Sequence, residues 1–337
     1  MSLKKHVMII IAFQFLACCS AQLALAQTQN SRAATANSYL ERGNQWLARG
    51  EWERAIADFD LAIASDPSFA SGYQNRAVAR YRKGDLDGAL SDLDRAIQLD
   101  PRFTQAYASR GSLRQERGDL AGAIRDYSRA IELNPHLAEA YNNRGLARRD
   151  QGDMDGTLAD FDQAIKLNPR HPEIYGNRGA VRFLKRDLDG ALSDFNQAIK
   201  LNPGFTEAYS LRGAARQFKG DLAGALADYN QAIAIDSRFA DAWFNRALVW
   251  KATGDLERAI ADFSRVIALN PRFADAYAQR GLMLLRQGKE AEAQRDFEQC
   301  LALNRDLKAS LEKLIKEVRQ RSEDELASPC RFEKIIR

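Results

Sequence analysis

The chain has 337 residues, 45% of them hydrophobic, with 49 Lys plus Arg against 45 Asp plus Glu and a formal net charge of +4. That apolar content supplies a large core and excludes a wholly disordered chain. Acids and bases alternate along the whole length, which excludes the clustered basic surface of a phosphate-contacting nucleic-acid binder.

At the N-terminus, Lys4, Lys5 and His6 precede a mostly apolar run from Val7 to Ala26 that closes on Ala24-Leu25-Ala26. A positive start, an apolar middle and small residues at the end read as a secretory signal, residues 1–26, cut after Ala26. An exported protein, periplasmic or secreted, follows from that reading. Two rivals stay open. The run is near the ~20 residues that span a bilayer, so it could stay as an anchor, although Gln14 and Gln22 weaken that reading. Alternatively, Phe15-Leu16-Ala17-Cys18 is a lipoprotein box, imperfect because of its aromatic residue, that would tether the protein to a membrane through Cys18. Residues 27–35 read as a linker.

Cleavage leaves Cys300 and Cys330 as the only cysteines. In an oxidising compartment the two could bridge and pin the tail. The plainer reading makes Cys300 a small core residue, since the matching positions elsewhere hold Ala or Val.

From Ala36 to Leu307 the sequence repeats every 34 residues without insertion, giving eight units: 36–69, 70–103, 104–137, 138–171, 172–205, 206–239, 240–273 and 274–307. The fourth position is always aromatic, from Tyr39 and Tyr73 to Trp243 and Tyr277. The eighth is Gly or Ala, the twentieth is small, and the fifteenth is Gly in every unit except the one holding Arg186. Six of the eight prolines fall at the thirty-second position. In the third unit, Thr104 to Arg117 has no breaker and reads as a first helix, A. Gly118 ends it in the left-handed conformation and Asp119 starts the next. Ala121 to Leu133 reads as helix B, with Ile124, Tyr127, Ala130 and Ile131 at helical spacing. Asn134-Pro135 stops it. Gly111 and Ala123 let the two helices approach closely. One such hairpin cannot bury both faces, so the units must stack.

Aromatic, small, Gly, Ala and Pro at these fixed phases in eight consecutive units resemble the tetratricopeptide repeat family, over residues 36–307. The resemblance implies an all-α fold: a right-handed α-solenoid of eight helical hairpins, with A helices lining a concave groove. After the last unit, Leu311, Leu314, Ile315 and Val318 make an amphipathic stripe, so residues 308–321 read as the cap a solenoid end requires. Residues 322–337 read as a loose tail.

Position seven is Arg in every unit, including Arg76, Arg110, Arg144, Arg178, Arg212 and Arg246, where the general family pattern has Leu. Position twenty-three is Asp in every unit, including Asp92, Asp126, Asp160, Asp194, Asp228 and Asp262. An Arg ladder is chemically able to hold an anionic ligand. Equal number and common phase favour a structural ion-pair ladder between helix A and a neighbouring helix B, since a half-buried charge needs a partner.

The family resemblance places the groove at helix A positions 2, 5, 6, 9, 12 and 13. Position six holds Asn75, Asn143, Asn177 and Asn245, and an Asn amide both donates and accepts, as an extended peptide backbone requires. The same residues also suit an exposed helix face with no ligand. A dicarboxylate clamp is excluded: Asn44 and Asn75 fit it, but Leu40, Gln105 and Ser109 stand where its basic residues belong. The early units offer a polar surface that includes Arg82 and Arg149. The later ones offer Phe183, Leu184, Leu211, Phe218, Phe244 and Leu248, which read either as an exposed partner patch or as packing between neighbouring A helices.

No phosphate loop, G-x-S-x-G, H-E-x-x-H or C-x-x-C occurs, and His136 and His171 have no Cys near them in sequence. Every acid pair is a repeated feature, whereas a catalytic site is needed once. The sequence therefore reads as a non-enzymatic interaction scaffold with no metal and no cofactor, binding a protein or peptide segment in its groove and no nucleic acid. A structural or self-associating envelope component is the alternative, and oligomeric state is not encoded legibly.

Overall fold

The computed structural model describes residues 31–327, and side chains as far as residue 320. The signal segment, Cys18 and Cys330 lie outside it. The chain divides into two compact units at Leu167 and Asn168. The first comprises α1 (31–48), α2 (Trp52–Ser65), α3 (Ala70–Lys83), α4 (Leu86–Leu99), α5 (Thr104–Glu116), α6 (Leu120–Leu133), α7 (Ala138–Gln151) and α8 (Met154–Leu167). The second comprises α9 (Pro172–Leu184), α10 (Leu188–Leu201), α11 (Thr206–Phe218), α12 (Leu222–Ile235), α13 (Ala240–Thr253), α14 (Leu256–Leu269), α15 (Ala274–Arg286), α16 (Glu290–Leu303) and α17 (Lys308–Ala327). Odd-numbered helices up to α15 are the A helices, and each packs on the even-numbered B helix after it. Among the described residues there is no strand.

Local chemistry sets these boundaries. The fifteenth-position glycines take φ values of +76 to +93°, as a helix C-terminus demands, and Arg186 at φ 65° is the one non-glycine there among the described residues. Asp85, Asp119, Asp187, Asp221 and Asp255 then cap the B helices, each accepting a backbone N–H three residues on. Both chain ends run further as helix than their composition suggested. The first helix already includes residues 31–35, an Ala-rich stretch without a breaker. The last passes 321 and reaches Ala327, because the first helix breaker, Pro329, lies beyond it.

Each hairpin core is small and repetitive. An aromatic ring from helix B, such as Phe59, Tyr127, Phe161, Phe195 or Tyr229, is fully buried against the small residue at position eight of helix A. A Cβ at Gly179 would stand 2.8 Å from Phe195 Cε1 and 3.2 Å from Asp194 Cβ. The seventh hairpin has Ala247 there, also facing a ring, Phe263, so one methyl is accommodated by a small shift. At the far end, Leu311 of α17 is buried with Met283, Leu284, Leu285 and Cys300, and Ile315 and Val318 pack alongside. Burial pushes the Cys300 thiol above its ordinary pKa, which suits an inert core residue.

The Arg of position seven joins three helices. In the second hairpin, Arg76 on α3 donates from Nε (2.9 Å) and Nη2 (2.6 Å) to both oxygens of Asp92 on α4. Its Nη1 donates to Asp60 on α2, in the preceding hairpin, at 2.6 Å. Arg110 repeats this with Asp126 and Asp94, and Arg144 with Asp160 and the Ser128 hydroxyl. In the second unit, Arg178 forks onto Asp194. Arg212 holds Asp228 and Asn196, Arg246 holds Asp262 and Asn230, and Arg280 holds Asp296 and Ser264. Arg42, in the first hairpin of the described residues, pairs with Asp58 and has a side chain 54% exposed, against 14% for Arg110. Each guanidinium also lies over the position-four ring of its own helix, 4.7–5.8 Å from the ring centre. The bonds to aspartate hold Arg42, Arg76 and Arg280 above the ordinary arginine pKa, while the Arg42 bond lowers that of Asp58.

A second arginine was missed in the sequence. Position eleven holds Arg80, Arg114, Arg148, Arg182 and Arg216, and each donates Nη1 to the same buried Asp at 2.8–2.9 Å. In the first hairpin Trp46 Nε1 takes that place on Asp58. The signal was available, since five consecutive units carry Arg at that phase.

Four substitutions at three positions measure these contacts. Gly179→Val adds two methyl groups beyond an already crowded Cβ and is expected to cost about 3 kcal/mol. Gly179→Ala should cost far less, because the helix-propensity gain of about 1 kcal/mol offsets its strain. Asp126→Asn, which leaves two half-buried guanidinium groups short of charge, should lower stability by about 3–5 kcal/mol. Asp94→Asn, at an exposed acceptor, should lower it by under about 1 kcal/mol. Urea unfolding followed by circular dichroism reads all four.

Candidate peptide-binding face

On the A helices other than α15, whose Leu282 and Leu285 are buried, the core takes one set of positions and leaves another accessible. In α3, Gly72, Gln74, Ala77 and Ala79 are buried, while Asn75, Val78 and Tyr81 are half-buried and Arg82 is exposed. The accessible positions are six, nine, twelve and thirteen, one face of a helix at 3.6 residues per turn.

In the first unit this face is polar and internally bonded. Asn75 donates its amide to Asn44 Oδ1 at 2.8 Å, joining α3 to α1. Asn143 accepts from Asn142 at 3.1 Å. Arg149 is tied to the adjacent Asp150, and a hydrogen bond to Glu116 holds the Tyr81 phenol above its ordinary pKa. The second hairpin alone has Leu93 in place of the buried ring. Beside it a hollow of about 160 Å³ is lined by Val78, Tyr81, Leu93, Ser109 and Leu113.

In the second unit the six apolar side chains read from the sequence as a single patch divide. Phe183 and Leu211 pack against the buried cluster of Ala191, Phe195 and Ala215. Phe244 stacks on Phe273 with ring centres 4.9 Å apart and meets the edge of Phe263 at 5.5 Å. Leu248 packs on the same cluster. These four are largely packing residues, because positions five, six, nine and twelve are shared with a neighbouring hairpin. Leu184 and Phe218, both at position thirteen, remain 62% and 58% exposed. Phe218 meets the edge of Phe183, with centres 5.3 Å apart, and the Arg186 guanidinium lies 4.6 Å over its ring. Asn177 and Asn245 are half-buried on α9 and α13. Between α11 and α13 a hollow of about 300 Å³ is lined by Glu207, Ser210, Leu211, Phe239, Asp241, Phe244 and Asn245. Lys251 donates to Gln279 at 2.7 Å, and burial lowers its pKa.

No group of three His, Cys, Asp or Glu side chains among the described residues is placed to hold a metal ion. No described helix is long and apolar enough to cross a membrane.

Models of the tetratricopeptide repeat match residues 40–102, 138–171, 158–204, 240–273 and 274–307, and a TPR repeat model matches 111–152 and 219–254. A tetratricopeptide repeat protein from Parabacteroides merdae ATCC 43184 superposes with a TM-score of 0.58 at 20% identity, over 74% of this chain and 99% of that one. Pseudomonas aeruginosa pilF gives 0.58 at 18% identity, over 63% and 96%. The C-terminal part of a TPR repeat-containing protein from Cytophaga hutchinsonii gives 0.57 at 18%, over 71% and 98%. These likenesses establish the fold. No curated protein matches the chain in sequence. Repeat models covering 40–102, 111–204 and 219–307, together with hairpins in the same register, place the chain in the tetratricopeptide repeat family, a family of protein–protein interaction scaffolds.

Proposed function

We propose that the protein is an exported, non-enzymatic scaffold that holds a peptide or protein segment against the accessible face of its A helices. The observation that carries this is the pair Leu184 and Phe218. They are the two most exposed of the large apolar side chains among the described residues, and they occupy the same position in consecutive hairpins. Water contact with both is unfavourable at roughly 25 cal/mol per Å² of apolar surface, and a partner that covers them recovers it. Their mounting is rigid, on helices fixed by buried rings and ion pairs, so little ordering cost falls on the scaffold when a flexible segment binds. Export is supported by Lys4 and Lys5, the apolar run after them and Ala24-Leu25-Ala26.

Selection of peptides from a displayed random library against the full chain, followed by titration calorimetry, tests the binding reading. Saturable binding is expected, and the double substitution Leu184→Ser and Phe218→Ser should weaken it about tenfold, near 1.4 kcal/mol, with helix content unchanged. Affinity indifferent to that pair would remove this face from the function. For export, intact-mass analysis of protein expressed in a secreting bacterial host should show a chain starting at Gln27. A lipid-modified N-terminal Cys18 or a full-length mass would replace that reading.

A further inference from the structure

We propose that the hollow between α11 and α13 is a pocket for a Lys or Arg side chain of the bound segment. The proposal rests on the A-helix face being the peptide-binding surface, and it adds the chemistry of the occupant. The hollow, about 300 Å³, lies at the bottom of the usual size range for small-molecule pockets, which suits one side chain better than a whole cofactor.

Its walls are apolar and its rim is acidic. Leu211, Phe239 and Phe244 form the walls, and Phe244 is held in place by Phe263 and Phe273. Glu207 stands in the first turn of α11 and Asp241 in the first turn of α13. Both are exposed, and neither carboxylate makes an ion pair or hydrogen bond with any described residue. The same position is acidic in α7, α9 and α15 as well, at Glu139, Glu173 and Asp275, and uncharged in α3 and α5, at Ser71 and Gln105.

A helix N-terminus favours an acid in its first turn without any ligand. The dipole does not account for the remainder of the site. Ser210 is only 5% exposed, yet its hydroxyl has no hydrogen-bond partner among the described residues, and it lines the hollow. Asn245, likewise unbonded and half-buried, lines it as well. Both side chains line the hollow with hydrogen-bonding capacity that the fold leaves unused, and an arriving donor would take it up. Two uncompensated carboxylates, two neutral oxygen acceptors and an aromatic wall match one chemical object, a cation on a long aliphatic stem. Lys and Arg lay such stems along apolar surface while the head reaches polar groups. The face of Phe244 adds attraction for the charge, and a carboxylate accepts from guanidinium or ammonium in a charge-assisted bond.

The test uses the same displayed library and the full chain. Selected peptides should share a Lys or Arg at one fixed position. Changing that residue to Met should weaken binding about tenfold, and so should Glu207→Gln with Asp241→Asn in the scaffold. The two changes together should weaken it little more than either alone, since they remove the same contact. Both scaffold substitutions are exposed and near-isosteric, so folding is preserved, which circular dichroism checks. Peptides that bind through Leu184 and Phe218 but share no basic residue would overturn the pocket and leave the scaffold reading intact. Peptides with a shared basic residue that ignore the double substitution would also overturn it. Failure to recover any saturable peptide would overturn both.

Discussion

A single guanidinium, repeated, holds each unit together. Five N–H donors in a rigid plane allow the Arg at position seven to fork onto the Asp of its own hairpin and still reach the preceding one. Arg110 does so with bonds of 2.6–2.9 Å to Asp126 and Asp94. Removing two charges from water is expensive, and a buried pair of this kind is poor evidence of added stability. Its effect lies in register. A slip of one helix turn would strand a buried carboxylate among alkyl groups, so the fork excludes stackings that the small, repetitive apolar core would tolerate.

That core could not enforce register by itself. Its members are mostly Ala, with one ring in every hairpin but the second, which has Leu93, and alanines packed on alanines offer little shape to distinguish neighbouring alignments. The rings help by fitting only against Gly or Ala. The ion pairs supply the directional component, and the position-four aromatic closes over the guanidinium from outside. Polar and apolar layers therefore serve different ends: one supplies the driving force, the other selects among ways of using it.

This division explains what the sequence disclosed. The hairpins, their turns and the pairing of Arg76 with Asp92 recur at constant phase, so a single chain acts as its own alignment. The second arginine on the buried Asp, at position eleven, is periodic only through units two to six, with Trp46 before the run and Trp250 and Leu284 after it, so it is a weaker signal than the invariant position seven. The accessible face was harder to read. Phe183 and Phe218 are chemically identical, yet one is packed and the other exposed. The difference depends on how closely a neighbouring hairpin covers position twelve and how little it covers position thirteen, a matter of three-dimensional packing that no periodicity records. Export signals and cysteine pairing depend on residues outside the described helices, where the repeat gives no guide.

Invariant phases build the stack, so phases that vary between units are where one hairpin is able to differ in function from the next. Arg186 shows how far this goes. Seven hairpins end helix A with glycine, and the fifth accepts a left-handed arginine, a conformation costing about 1–2 kcal/mol for a residue with a Cβ. Its guanidinium lies over Phe218, a contact worth about 0.5–1 kcal/mol at an exposed site. The contact offsets only part of the strain. Folding alone would favour glycine at this turn, as it does in the others. An arginine kept beside the most exposed apolar side chains of the second unit is better understood through what that surface meets than through what the hairpin needs to stand.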